Sequence, residues 1–185
     1  EALIVVGPDG EGMSRPGNVG SPVDVTETSR VAEFNDLEGL ERQLKNGDVA
    51  AVLMEPALTN IGIVLPEPGY MEKVREITQR HGVLLIIDET HTICAGPGGC
   101  TKAWNLEPDL FVIGKPIAGG MPAAVYGMSA VIADRLEKEM AMDDVDVSGV
   151  GGTLTGNALA MAAIRATLST TLQQSDYDRM IPLAE

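Results

Sequence analysis

The sequence predicts an α/β protein built on a mostly parallel sheet with helices on both faces. Three observations carry that expectation. Apolar runs of strand length occur at VAAVLM (49–54), VLLIID (83–88) and DLFVIG (109–114). Such runs mark strands buried on both faces. A helix-period segment, GYMEKVREITQRHG (69–82), separates the first two. Strand, helix, strand in that order is the pattern of a parallel sheet.

Each element follows in turn. LIVV (3–6) reads as a short strand. Residues 7–30 are rich in Gly, Pro, Ser and Asp and read as loop. Within them GPDGEG (7–12) matches no phosphate-loop spacing and reads as a turn. Asn35-Asp36 offers a cap to LEGLERQL, which places Leu37, Leu40 and Leu44 on one face. Gly47-Asp48 breaks that helix, and Glu55-Pro56 ends the strand that follows. In the helix at 69–82, Met71, Val74 and Ile77 line one side and Gly82 is the stop. AAVYGMSAV (123–131) is a fourth strand of open direction, and ADRLEKEMA (133–141) a helix. DDVDVSGVGG (143–152) reads as loop. TGNALAMAAIRATLSTTLQQ (155–174) reads as a small-residue helix that packs closely on a neighbour.

Composition excludes several classes. Thirteen basic against 27 acidic residues give a net charge of −14, which disfavours a nucleic-acid or anionic-membrane surface. No apolar run approaches the ~20 residues of a membrane span, and no signal peptide is visible. Two cysteines, Cys94 and Cys100, make no disulfide framework, and with only His81 and His91 beside them they match no zinc pattern. Two ordinary thiols and no metal are expected, in a cytoplasmic setting. The chain starts at Glu1 rather than Met, which suggests a piece of a longer protein.

Ligands of open α/β sheets bind beyond the carboxyl ends of the strands. The strand ends here carry Glu55, then Asp88 and Glu89, then Lys115. Lys115 is either a lysine reaching for water or an amine in a partly desolvated pocket. Desolvation favours the neutral amine, which forms a Schiff base with an aldehyde. Asp88 is either a local cap or a carboxylate with a cationic partner such as a protonated pyridine nitrogen. A lysine with an acid for a pyridinium nitrogen is the pair that pyridoxal phosphate uses. Thr153, in GVGGTLTGN (149–157), is either an ordinary helix cap or part of an anion site. His91 follows the second site strand, and local hydrogen bonds are its simpler explanation.

Taken together, three blocks resemble class III aminotransferases that depend on pyridoxal 5'-phosphate (PLP). They are MEPALTNIGIVLPEPGYMEKVREITQRHGVLLIIDETHT, GPGGCTKAWNLEPDLFVIGKPIAGGMPAAVYGMSA and GGTLTGNALAMAA. The resemblance covers roughly residues 33–172 and is strongest to members similar to glutamate-1-semialdehyde aminomutase. It implies the PLP-dependent transferase fold, fold type I. Lys115 would carry the cofactor as an aldimine and later shuttle a proton. Asp88 would pair with the pyridinium nitrogen. Asn60 would bond near the ring's phenolic oxygen, and Thr90, where many relatives have valine, would press on a ring face. Gly152 and Thr153 would reach the phosphate of a cofactor held mainly by the other subunit of a homodimer. Residues 1–185 would be the second half of the large, PLP-binding domain, without the N-terminal segment or the C-terminal small domain.

The implied activity is amino transfer between an amine or amino acid and a keto acid or aldehyde. An aminomutase or racemase on the same scaffold and a non-catalytic fragment stay open.

Overall fold

The computed structural model describes residues 4–16, 24–140 and 151–184. They fall into two compact units, Glu1–Ala50 with Pro66–Val83, and Ala51–Leu65 with Leu84–Glu185.

The first unit opens with an antiparallel pair, β1 (Ile4–Val6) and β2 (Gly12–Ser14). The sequence reads as unbroken loop over 7–30, and both β2 and a 3-10 turn at Val25–Glu27 correct that reading. Gly-Met-Ser has little strand propensity of its own; pairing with β1 makes it a strand. Helix α1 (Leu37–Leu44) starts where Asp36 accepts the Gly39 N–H at 2.8 Å. A cap of this kind contributes about 1 kcal/mol. Leu40 and Leu44 are buried, as the leucine spacing requires. Helix α2 (Tyr70–His81) buries Met71, Val74 and Ile77 and ends at Gly82 with φ 68°. That left-handed backbone favours glycine, which is why Gly82 stops the helix. Glu41 of α1 accepts from Arg80 at 2.5 Å and pairs with His81 at 3.0 Å, joining α1 to α2.

The second unit holds a four-stranded sheet: β3 (Ala51–Met54), β4 (Leu84–Asp88), β5 (Leu110–Ile113) and β6 (Val125–Met128), in that spatial order. The first three are parallel, and β6 runs antiparallel to β5. Residues 114–124 are too few for a helical crossover, so the fourth strand has to return beside the third.

Burial is less complete than the apolar runs imply. In β4, Leu85 and Ile87 are buried while Leu84, Ile86 and Asp88 are half-buried. The outer strand β3 leaves Leu53 59% exposed, and β6 leaves Val125 and Tyr126 exposed. An apolar run shows that both faces suit burial; it does not show which residues supply the cover.

The remaining helices are α3 (Gly99–Ala103), α4 (Ala130–Met140), α5 (Ala158–Thr170) and α6 (Gln174–Ala184). Helix α4 begins earlier than residue 133 because Ser129 sits at its start, with its carbonyl accepting from Ala133. Helix α5 begins later than residue 155: Gly156 has φ 71°, and Asn157 is the cap, accepting from Ala160 at 2.9 Å. Helix α5 packs on the 3-10 turn Lys115–Ala118. Ile117, Ala118 and Ile164 form the buried centre of that contact. A side chain on Gly119 would meet Thr167 Oγ1 at 3.1 Å, so the approach is close, as the small-residue sequence predicts. Tyr177 of α6 is buried and donates its hydroxyl to the Ile93 carbonyl at 2.9 Å. Most of the loop expected at 143–152 lies outside the described residues. Among the described residues no helix is long and apolar enough to cross a membrane.

Candidate active site

The second unit contains every residue that the sequence singles out as a site residue. Asp88 pairs in register with Val112, and the Glu89 N–H donates to the Val112 carbonyl at 2.8 Å. Asp88 and Lys115 therefore leave neighbouring parallel strands at the same carboxyl edge. Thr90 joins them. Its methyl lies 3.6 Å from where a side chain on Gly114 would begin, beside the residue that precedes Lys115.

Lys115 has φ 49°, in the left-handed region that a lysine rarely adopts. Holding it there costs on the order of 1–3 kcal/mol, and such strain gathers at functional positions. The residue is exposed, as the first of its two sequence readings, a lysine reaching for water, expects. Its amine is hydrogen-bonded to His91 Nε2.

His91 in turn bonds Thr59 Oγ1 through Nδ1, and the Thr59 hydroxyl donates to Glu55 Oε2 at 2.5 Å. The Glu55 carboxylate stands 3.8 Å from His91 Nδ1. The histidine is satisfied, but by partners 24 and 32 residues away rather than by the local bonds that sequence suggests. Thr59 escapes sequence reasoning altogether; its place beside Asn60 in the loop after Glu55 is the one signal it offers.

The Asp88 carboxylate accepts the Thr90 N–H at 2.8 Å on one oxygen. Among the described residues no other hydrogen bond reaches it. Glu89 behaves in the opposite way. It is wholly buried and accepts from the Thr92 hydroxyl at 2.5 Å, from Cys100 N at 3.0 Å and from Thr101 N. A side chain on Gly99 would fall 2.3 Å from Glu89 Oε2, so glycine is needed for the carboxylate to reach the first turn of α3. Burial and the Glu89 charge push the Cys100 thiol up to about 11. Both cysteines are free, with Cys94 exposed and Cys100 buried.

Other predicted residues stand apart from this group. Asn60 is exposed in the loop closed by the Leu58–Val64 bridge. Gly152 and Thr153 are exposed in the turn before α5. The Gly152 N–H is donated to Thr155 Oγ1 at 2.7 Å. Thr153 lies four residues before Asn157 and does not cap the helix, because Gly156 and Asn157 move the helix start along the chain. A shallow depression of about 470 Å³ in the first unit, lined in part by Leu37, Lys45 and Ile77, holds none of these residues.

Comparison with known proteins agrees with the fold. Residues 16–181 match the family described as Aminotransferase class-III. A glutamate-1-semialdehyde 2,1-aminomutase from Desulfitobacterium hafniense is 40% identical over 182 residues, 95% of this chain and 40% of the relative. One from Syntrophomonas wolfei is 44% identical over 158 residues, 83% of this chain and 35% of the relative. Among solved structures, a variant glutamate-1-semialdehyde aminomutase from Pseudomonas aeruginosa PAO1 in complex with PMP superposes with a TM-score of 0.91. It is 45% identical, and the match covers 98% of this chain and 41% of that one. An omega-transaminase from Sphaerobacter thermophilus superposes with a TM-score of 0.76 at 32% identity, over 96% of this chain and 40% of that one. The chain thus spans about two fifths of the length of these relatives. With the sheet order and the strand-end residues already in place, these likenesses establish fold type I, and the chain belongs to the class III aminotransferase family.

Proposed function

We propose that the chain is part of a PLP-dependent enzyme that moves an amino group within one substrate, in the manner of a glutamate-1-semialdehyde 2,1-aminomutase. The observation that carries this reading is the placement of Asp88 and Lys115 at the same edge of adjacent, in-register parallel strands. The donor set suits the cofactor. A primary amine faces solvent, a carboxylate keeps one oxygen without a hydrogen bond, and a threonine methyl stands beside the residue before the amine. When bound, PLP supplies a carbonyl for the amine and a ring that accepts the electron pair left when a Cα proton departs.

Lys115 would be the amine that holds the cofactor and, when free, the base that holds or gives up a proton beside it. Asp88 would face the pyridinium nitrogen with its unused oxygen, and Thr90 would support one ring face. Asn60 would serve the phenolic oxygen. Gly152 and Thr153 would serve the phosphate in a homodimer, with the Gly152 N–H, now donated to Thr155, as one available donor. Substrates on this reading are small amines or amino acids with a carbonyl group, handled in the cytoplasm and away from nucleic acid and membrane.

Amino transfer between two molecules is the second reading, favoured by the likeness to the omega-transaminase. One experiment on the complete protein addresses both. Borohydride fixes PLP to the peptide containing Lys115, and Lys115→Ala removes the adduct. An adduct that persists in that variant overturns the assignment. With an amino substrate and no keto acceptor, continued turnover to an isomer supports the mutase; a halt after one equivalent supports transfer.

A further inference from the structure

We infer that Glu55, Thr59 and His91 form a relay that takes a proton from Lys115 and leaves its amine free to attack a carbonyl carbon. The inference rests on Lys115 being the reactive amine of the proposed function. The four residues come from the carboxyl ends of three consecutive parallel strands. Glu55 and Thr59 follow β3, His91 follows β4 and Lys115 follows β5. The relay runs across the sheet edge rather than along any one segment.

The direction of each hydrogen bond follows from the inventory of donors. A carboxylate has no proton to give, so the Thr59 hydroxyl donates to Glu55 Oε2. The Thr59 oxygen is then left to accept, and His91 Nδ1 must carry the hydrogen between them. A neutral imidazole protonated at Nδ1 presents a lone pair at Nε2, the atom that meets the Lys115 amine. His91 is thus held in the tautomer that accepts from Lys115.

The step balances within this group. An N–H bond of the Lys115 ammonium breaks, a bond from that hydrogen to His91 Nε2 forms, and the electron pair stays on Nζ. The resulting imidazolium lies 3.8 Å from the Glu55 carboxylate, with Thr59 bridging them. Both His91 and Glu55 are half-buried, at 29% and 23% exposure, so water screens the pair only in part. The arrangement follows the general rule of a base oriented by a third group. His91 and Thr59 act through Lys115, and Glu55 fixes their polarity.

The test reads the amine itself, in the complete protein freed of cofactor. Limiting acetic anhydride at pH 7.5 acylates the lysines. Mass spectrometry then gives the rate at Lys115 relative to the exposed Lys45 and Lys102. His91→Phe lowers the Lys115 ratio by about tenfold, short of the full range for general bases. Thr59→Val lowers it in the same direction, and Thr59→Ser, which keeps the orienting oxygen, restores it. Nitrogen-15 spectra of the unsubstituted protein show His91 protonated at Nδ1. A ratio within threefold of the unsubstituted protein in His91→Phe overturns the relay, as does a Thr59→Ser ratio no higher than that of Thr59→Val. If circular dichroism shows that His91→Phe fails to fold, the Thr59 pair decides. Borohydride trapping tests the cofactor reading separately. Trapping without the described acylation response overturns the relay alone; absence of trapping overturns the cofactor reading, and with it the relay's part in that reaction.

Discussion

Two carboxylates stand side by side at the end of β4, and their surroundings differ. Strand alternation sends Asp88 and Glu89 to opposite sides. On one side Glu89 is wholly buried and takes three donors from Thr92, Cys100 and Thr101. On the other, Asp88 is half-buried, takes a single donor from Thr90, and shares its edge with Lys115 and His91. Saturation separates the roles. A buried acid whose oxygens are committed to backbone N–H groups holds structure, because those bonds stabilise only while they stay in place. An acid with an uncommitted oxygen at a strand end is available to a ligand.

The contrast is broken or sharpened by substitutions on each side. The largest expected effect is on the open side. Asp88→Asn in the complete protein lowers kcat/KM by about 10³-fold, or about 4 kcal/mol of transition-state stabilisation, with little change in melting temperature. Equal losses of activity and stability would place Asp88 with Glu89 as a structural acid. The closed side gives the converse. Glu89→Ala strands two backbone donors and a hydroxyl in the interior and costs about 3 kcal/mol of stability, read from a denaturant series. A stable Glu89→Ala protein with a dead site would invert the assignment.

The smallest effect concerns the thiol beside Glu89. With its ionisation pushed up to about 11, Cys100 carries little thiolate at pH 8, so iodoacetamide labels exposed Cys94 faster by at least about tenfold. The sign for stability follows the same shift. A thiol held neutral in the fold leaves stability unaffected below its unfolded value of 9.0 and erodes it as pH climbs from there towards about 11. Equal labelling of the two cysteines would show that the Glu89 side is open.

Much of the second unit was legible in the sequence. Apolar runs located three strands within two residues of their ends, and the lysine and acids at those ends followed from their positions. The direction of β6 was not legible, because one antiparallel return among parallel strands depends on loop length and neighbours rather than on residue type. Nor was β2, which owes its form to β1. In the candidate site, Asp88 and Lys115 stand out as charges beside apolar runs. Thr59 did not, because a threonine in a loop carries no local sign of a histidine 32 residues ahead. The position of His91 marks it, but not its partners Thr59 and Lys115. Only the alignment of three strand ends reveals its partners, and that is a tertiary property.

The backbone at residue 115 carries one more implication. A left-handed conformation there penalises any side chain with a β-carbon. Selection for thermal robustness alone would favour glycine or asparagine at that point. If Lys115 is the reactive amine proposed above, robustness and chemistry pull in opposite directions at this single position.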